Sequence, residues 1–411
     1  MRSPCSGLRA LRDRGFVASE THPEETDDVF SRPTKVYAGY DPTADGLHVG
    51  SLVTLLALAH LQRAGHTPVV LIGGATGLIG DPSGRETERA MLDEAKAAEN
   101  AARVAGDAAS VLLRACDPEG PRVVLVNNAD WWKGMGSMEL LRDVGRHFRV
   151  PTMLRRESVS RRMESQEGIS FTEFSYQLLQ AHDFFHLHRG MGVCVQLGGS
   201  DQWGNITAGI EYAKRRGATQ QRLAGVTVPL ISTKDGQKLG KSAGNAVWLA
   251  ESKTSHVDMY QYFVQNATDE MVPKWMGLMT LMTPQQIAEA CALGGGKAQK
   301  ELAYRVVELV RGTEAAESAR TASEALFAGE ESSVCLAVAR SKAETMTVVE
   351  LAVEASLVPS KAEARRVIEQ GGMYVNEVRV ESVAAKLGPQ SGSSVFLRAG
   401  KKNRKQIKLT D

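Results

Sequence analysis

"KVYAGYDPTADGLHVGSLVTLLALAHLQRAG", Lys35 to Gly65, decides how this chain is organised. Lys35–Tyr40 is a short, largely apolar run that reads as a buried strand, and the Pro, Gly and Asp residues of "DPTADGLHVG" make a tight loop. Beyond the loop, Leu52, Leu55, Leu56 and Ala59 recur at helical spacing, and Gly65 supplies a stop. "TPVVLIGGATGLIGDPSG", Thr67 to Gly84, then adds a second apolar run that ends in glycines. Strand, loop, helix and strand form a βαβ unit. Such a unit predicts a parallel sheet with its ligand site beyond the carboxyl ends of the strands.

Outward from this unit the α/β pattern continues. Residues 86–120 are Ala-rich and helical in pattern, and "RVVLVNNADWW" reads as a strand with its following loop. "FSYQLLQAHDFFHLH" is a strongly apolar helix, and "VCVQLGGSDQWGN" is a strand running into a Gly and Asp turn. The expected divisions are an N-terminal helical segment (1–32), a Rossmann-like α/β domain with a helical insertion (33–247), an α-helical domain (248–328), a linker (329–346) and a small α+β domain (347–411). No internal repeat is evident.

At 411 residues, with 43% hydrophobic and 24% charged, the composition is that of a globular protein rather than a disordered one. No apolar run approaches the roughly 18 residues of a membrane span, so no membrane role is expected. The cysteines (Cys5, Cys116, Cys194, Cys291, Cys335) are scattered without a C-x-x-C pair. Neither a zinc site nor a disulfide framework is expected, and a reducing compartment fits. Net charge is +1, yet Lys361 to Asp411 holds eleven Lys or Arg against five Asp or Glu. A basic end predicts a polyanionic partner.

A helix entered from a strand through a glycine-containing loop presents unpaired N–H groups and positive dipole charge, a natural phosphate cradle. "LHVGS" occupies that position: His48 adds a donor, and Gly50 admits a ligand close to the backbone. In "GQKLGKS", Gly236 to Ser242, two lysines three residues apart suit one polyphosphate. Tyr176, Gln180 and Asp183 stand at i, i+4 and i+7, within about 60° on one helical face, a polar stripe that predicts a lined pocket. His182 and His186 have metal-binding spacing but point about 100° away from that stripe, and no metal is expected there. Trp131-Trp132 and the Met-rich "WMGLMTLM" at Trp275 read as core or interface packing.

These segments together resemble the bacterial and organellar tyrosyl-tRNA synthetases, a class I aminoacyl-tRNA synthetase family, from about Leu11 to Leu409. "YAGYDPTADGLHVG" resembles the family's first signature, "GGATGLIGDPSGR" its glycine-rich segment, "YQLLQAHDF" its tyrosine-binding helix and "QLGGSDQWGN" the following turn. "KLGKS" resembles the Lys-Met-Ser-Lys-Ser loop. The resemblance implies ATP-dependent ligation of L-tyrosine to tRNA(Tyr) through tyrosyl-adenylate, with Mg2+ accompanying the ATP, no protein-bound zinc, and a homodimer. It assigns Tyr37 and Asp183 to the substrate phenol, and Asp81, Tyr176, Gln180 and Gln196 to the rest of the tyrosine. Gly39, Asp41, Gly50, Ser51, Gly199, Asp201 and Gln202 are implied for ATP, and Thr43, His48, Lys238, Lys241 and Ser242 for its reacting phosphates.

Ser51 departs from the family, which has His-Ile-Gly-His where this chain reads His48-Val49-Gly50-Ser51. We expect a tolerated variant whose hydroxyl lines or caps the helix start. "TVVELAVEASLVPSKAEARRVIEQGGMYVNEVRV" resembles the S4 RNA-binding module, with Lys361, Arg365 and Arg366 facing phosphates from one helix and a basic tail behind. The alternatives are a synthetase-like RNA-binding or splicing cofactor without catalysis, and a tryptophanyl sister enzyme. The lysine pair, Asp183 and Asp201 favour ligation, and Tyr37 with Asp183 suits a phenol rather than an indole. "MRSPCSGLRALRDRGF" has the Arg, Ser and Leu of a transit peptide but is followed by "ETHPEETDD". A mitochondrial matrix or other organelle, or a bacterial cytoplasm, is expected.

Overall fold

The computed structural model describes residues 5–85, 87–88, 91–218, 222–232, 239, 246–328, 335–339, 343, 345–376, 378–387, 394–400 and 403–410. They form two compact units, Met1–Ala316 and Glu317–Asp411. The first is built on a six-stranded sheet of β1 (Ser19–Glu20), β2 (Lys35–Tyr40), β3 (Thr67–Ile72), β4 (Val124–Asn127), β5 (Val193–Gly199) and β6 (Ala224–Val228). Its order is β1-β6-β5-β2-β3-β4. The β2 to β6 pairings are parallel and only β1 runs antiparallel, against β6.

The near-continuous burial of β3, β5 and β6 is what helices on both faces of a parallel sheet require. From β2 the chain adds β3 and β4 on one side, then crosses to add β5 and β6 on the other. The strand order therefore reverses between β2 and β5. In open parallel sheets that reversal leaves a crevice beyond the strand ends. Tyr37 and Gln196 are register partners across it.

Helix Val49–Arg63 begins beyond the first loop, as the spacing predicts, and carries the buried Leu52, Leu55, Leu56 and Ala59. Helix Phe171–Met191 ends on Gly192 in the left-handed region (φ 70°), where a Cβ would be strained. From His256 to Ala328 the chain is helical, and Trp275, Met276 and Met279 of the Met-rich stretch are core residues, as expected. The N-terminal segment is not purely helical: it contributes β1, and Arg14 donates to the carbonyls of Met282 (2.7 Å) and Thr280 (2.9 Å).

The second unit holds β7 (Cys335–Ala339), β8 (Met373–Val375), β9 (Val378–Arg379), β10 (Ser394–Ala399) and β11 (Asn403–Thr410), in the order β7-β11-β10-β8-β9. β7 lies within 329–346, expected as a linker. The apolar run "CLAVA" pairs in parallel with β11, so part of that segment belongs to the sheet. The remainder of the unit mixes helices with short strands, as expected of an α+β fold. Helix Val348–Glu354 starts in a Thr347/Glu350 capping box, and helix Lys361–Glu369 is capped by Ser360. Leu351, Ala364, Ile368, Met373, Val395, Leu397 and Ile407 are buried together.

Gly225 of β6 lets helix Trp203–Arg215 approach the sheet, because a Cβ there would collide with the Cγ2 of Ile206. Gly225→Ala is expected to lose about 1–3 kcal/mol of stability from overpacking. Urea unfolding followed by circular dichroism measures it.

Candidate active site

The crevice is a cavity of ≈ 280 Å³. Its wall includes Tyr37, Gly39, Asp41, Thr43, His48, Gly50 and Ser51 from β2 to the following helix, and Asp81 after β3. Tyr176, Gln180 and Asp183 come from helix Phe171–Met191, and Gln196, Gly199, Asp201 and Gln202 from β5 and its turn. The polar stripe read at i, i+4 and i+7 thus lines one cavity.

At the buried end, Tyr37 and Asp183 are each 1% exposed. Asp183 Oδ1 accepts from both Trp131 Nε1 (2.8 Å) and Trp132 Nε1 (2.7 Å), and Oδ2 accepts from Asn128 Nδ2 (2.9 Å). The two tryptophans, expected as packing residues, are thus donors to the site. Burial pushes the Asp183 carboxyl up to about 7, against the opposing pull of the Asn128, Trp131 and Trp132 hydrogen bonds. Burial first, and the nearby Asp183 second, push the Tyr37 phenol well above its ordinary value. The Tyr37 hydroxyl and the Gln196 Oε1 are buried with no hydrogen-bond partner among the described residues. Both residues line the cavity, so each brings it unmet polar capacity.

Above them a second cluster forms. Gln202 Nε2 donates to Asp81 Oδ2 (2.7 Å), and Gln180 Nε2 to Gln202 Oε1 (3.2 Å). Asn205, to which the sequence reading assigns no role, donates to Gln180 Oε1 (3.0 Å). Gln202, expected at the nucleotide, has its amide bonded to Asp81 and Gln180. Tyr176 donates to Asp41 Oδ2 (2.8 Å), whose Oδ1 accepts from Thr76 (2.7 Å). A Cβ at Gly73 would strike the Asp41 carboxylate, so that glycine holds the position open.

At the mouth, His48 is the N-cap of helix Val49–Arg63, its Nδ1 accepting from Gly50 N at 3.0 Å. A neutral imidazole whose Nδ1 accepts carries its proton on Nε2, so His48 presents a donor. Ser51 sits in the first helical turn, its N–H bonded to His48 O (2.8 Å). Capping therefore belongs to His48; Ser51 lines the cavity. The loop is fixed by Leu47 N on Asp107 Oδ2 (2.8 Å), by Val49 N on Val247 O (2.9 Å) and by an ion pair of Asp45 with Lys253. Lys238, Lys241 and Ser242 lie outside the described residues. Leu239, between them in sequence, lines the cavity.

His182 and His186 pack against aromatic rings. His186 stacks on Trp131 (centroids 4.3 Å apart), while His182 leans on Trp132 and its Nδ1 lies 3.2 Å from the Tyr212 hydroxyl. Burial lowers His182 to about 4. In the second unit Lys361, Arg365 and Arg366 are exposed on one helix. Lys361 is paired with Glu350 (2.9 Å) and Arg366 with Glu363 (2.7 Å). Exposed pairs of this kind are weak and exchange readily for other anions.

A doubly wound parallel sheet with a cavity at the reversal of its strand order, lined by a buried tyrosine and carboxyl and by a cluster of amides, fits the class I aminoacyl-tRNA synthetases. Residues 30–328 match the family described as "tRNA synthetases class I (W and Y)", and residues 333–406 match the "Tyrosine--tRNA ligase SYY-like C-terminal domain". A tyrosine–tRNA ligase of Protochlamydia amoebophila is 40% identical over 98% of this chain and 99% of its own. A chloroplastic/mitochondrial one of Arabidopsis thaliana is 38% identical over 97% of this chain and 83% of its own. The crystal structure of a C-terminally truncated mitochondrial tyrosyl-tRNA synthetase of Aspergillus nidulans superposes with a TM-score of 0.71 at 30% identity, covering 78% of this chain and 94% of that one. The chain belongs to the tyrosyl-tRNA synthetases of the bacterial and organellar type.

Asp183 carries a stability cost. Its folded value, about 7, lies above the ordinary 3.8, so the native state keeps a proton that the unfolded chain releases between those values. Stability from this group falls as pH rises through that window, by an amount on the order of 4 kcal/mol in full. The Asp183→Asn variant is expected to gain in melting temperature relative to the parent from pH 4 to pH 8, by several degrees. Differential scanning fluorimetry of the unliganded proteins reads it.

Proposed function

We propose that the cavity between the ends of β2 and β5 is where L-tyrosine is activated, and that its buried polar groups select the substrate. Family membership gives the overall reaction: ATP-dependent ligation of tyrosine to tRNA through tyrosyl-adenylate. The carrying observation is the pair Tyr37 and Asp183, which line the cavity as a buried hydroxyl without a partner among the described residues and a buried carboxyl bonded only by N–H donors. A site built to bond a hydroxyl leaves its own groups unpaired when phenylalanine enters. Tyrosyl-tRNA synthetases are the standard illustration of this effect, with discrimination of about 10⁵ and no editing.

In this reading Asp81, Tyr176, Gln180 and Gln196 hold the ammonium and backbone of the tyrosine, together with Gln202 and Asn205. Asp41, bonded to Tyr176, stands where the amino acid and the nucleotide meet. Gly39, Gly50 and Gly199 let ATP, bound as its magnesium complex, approach the backbone, and Asp201 meets the ribose. The tyrosine carboxylate attacks the α-phosphorus, and pyrophosphate leaves. Thr43, the Nε2–H of His48, Ser51, Lys238, Lys241 and Ser242 stabilise the charge that develops on the phosphate oxygens, with no covalent enzyme intermediate. The acyl group then passes to the terminal ribose of tRNA(Tyr).

The second unit, with Lys361, Arg365 and Arg366, is the RNA-binding arm, and its affinity falls with salt. A homodimer belongs to the same reading: the helical insertion and the helix after it expose Met138 (76%), Leu141 (55%) and Phe171 (76%), apolar side chains that a second copy would cover. The setting is an organelle or a bacterial cytoplasm, since relatives come from both.

Tyrosine-dependent exchange of pyrophosphate into ATP is the direct test, and folded protein without exchange would overturn the reading. Because β7 is part of the second sheet, the informative truncation removes residues 329–411. It is expected to keep exchange within about threefold and lower tRNA charging by at least about a hundredfold. Ser51→His is expected to change exchange by less than about tenfold, or 1.4 kcal/mol. A larger drop would make the serine an adapted part of the site.

A further inference from the structure

Trp131 and Trp132 are neighbours in sequence, yet both indole N–H groups donate to one atom, Asp183 Oδ1. They stand on the short helix Ala129–Trp132, just past the end of β4. Successive helical positions diverge by about 100°, so the two rings must turn back onto a shared target. Two imidazoles on the Asp183 helix hold them there. Trp131 lies nearly flat on His186 (interplanar 15°), and Trp132 leans on His182 with centroids 4.9 Å apart.

A carboxylate oxygen has two acceptor positions. The indoles fill both on Oδ1. Asn128 takes one on Oδ2, and its amide nitrogen is shared with the Thr76 hydroxyl (2.9 Å). The remaining position is on Oδ2. The buried hydroxyl of Tyr37, itself a residue of the cavity wall, stands without a partner among the described residues.

We propose that Trp132 is a specificity-determining residue for tyrosine, a positioning residue that closes the second acceptor position on Asp183 Oδ1 and leaves Oδ2 to demand a hydroxyl donor from the substrate. The proposal rests on the reading that Asp183 meets the substrate phenol. Without the Trp132 N–H, Oδ1 regains an open position that water or a proton fills. A protonated carboxyl no longer carries the charge that makes an unmet acceptor costly, so a substrate lacking the hydroxyl is penalised less. The groups that face Asp183 act in the same sense: Asp41, from the loop after β2, raises its carboxyl pKa, and Tyr37 on β2 and Tyr176 on its own helix are phenols that burial keeps neutral. His182 and His186, behind the indoles, are both lowered by burial.

Trp132→Phe removes the N–H and keeps a ring. Pyrophosphate exchange by the full chain is measured with tyrosine and with phenylalanine across the pH range. We expect KM for tyrosine to rise about tenfold with kcat little changed and KM for ATP unchanged, and the tyrosine-to-phenylalanine ratio of kcat/KM to fall about tenfold. The acid limb of kcat/KM for tyrosine should move up by about one pH unit, because losing a donor favours the protonated carboxyl. Trp132→His, which restores a ring N–H, should return both readouts part of the way. Trp132→Leu carries the same comparison should the phenylalanine variant not fold. If Asp183→Asn collapses discrimination while the Trp132 variants keep the parent's ratio and acid limb, Trp132 only packs and the proposal fails. If Asp183→Asn itself leaves discrimination intact, the underlying reading fails instead.

Discussion

The reversal of strand order between β2 and β5 is the constraint on which the site depends. Two parallel strands in register carry Tyr37 and Gln196 side by side, and the segments that leave them depart in different directions. Between those departures lies the cavity. Helix Val49–Arg63 begins at its mouth because His48 caps it, and helix Phe171–Met191 crosses its wall with a polar stripe. Each element contributes one kind of group. The loop after β2 brings a carboxylate and helix-terminal N–H groups, the long helix brings the polar stripe of Tyr176, Gln180 and Asp183, and the turn after β5 brings Gln202 and Asp201.

Burying a carboxylate is unfavourable unless its oxygens are satisfied. At Asp183 three N–H groups offset only part of that cost, since the carboxyl is still pushed up to about 7. The same low-dielectric surroundings make any unmet hydrogen bond at this carboxyl expensive, so stability is surrendered there. The second cluster is built differently: Gln180, Gln202 and Asn205 spread donors and acceptors around Asp81. The charge of Asp81 is cushioned there by neutral amides.

Much of this is legible in the sequence. The βαβ unit announces the sheet, and the spacing of Tyr176, Gln180 and Asp183 places three side chains on one wall, because helical periodicity carries direction as well as type. The segment after a strand has no such period. "NNADWW" reads as a loop, and nothing in its spacing tells that both indoles turn toward a helix some fifty residues onward. Its position past the carboxyl end of a parallel strand is the available signal, since the loops after β2, β3 and β5 also reach the cavity. Asn205 is hidden for a similar reason, lying in the first turn of a helix whose buried face is otherwise mostly packing surface. β7 escapes because five apolar residues among charged neighbours are indistinguishable from a linker until their partner, β11, is known.

That pairing has a kinetic side. β7 is the first strand of the second unit and β11 the last, so the first finds its place only after the last has formed. The entropy of closing so long a loop must be met before the contact returns anything. Until β7 docks, the edge of β11 stands open as a template for aggregation.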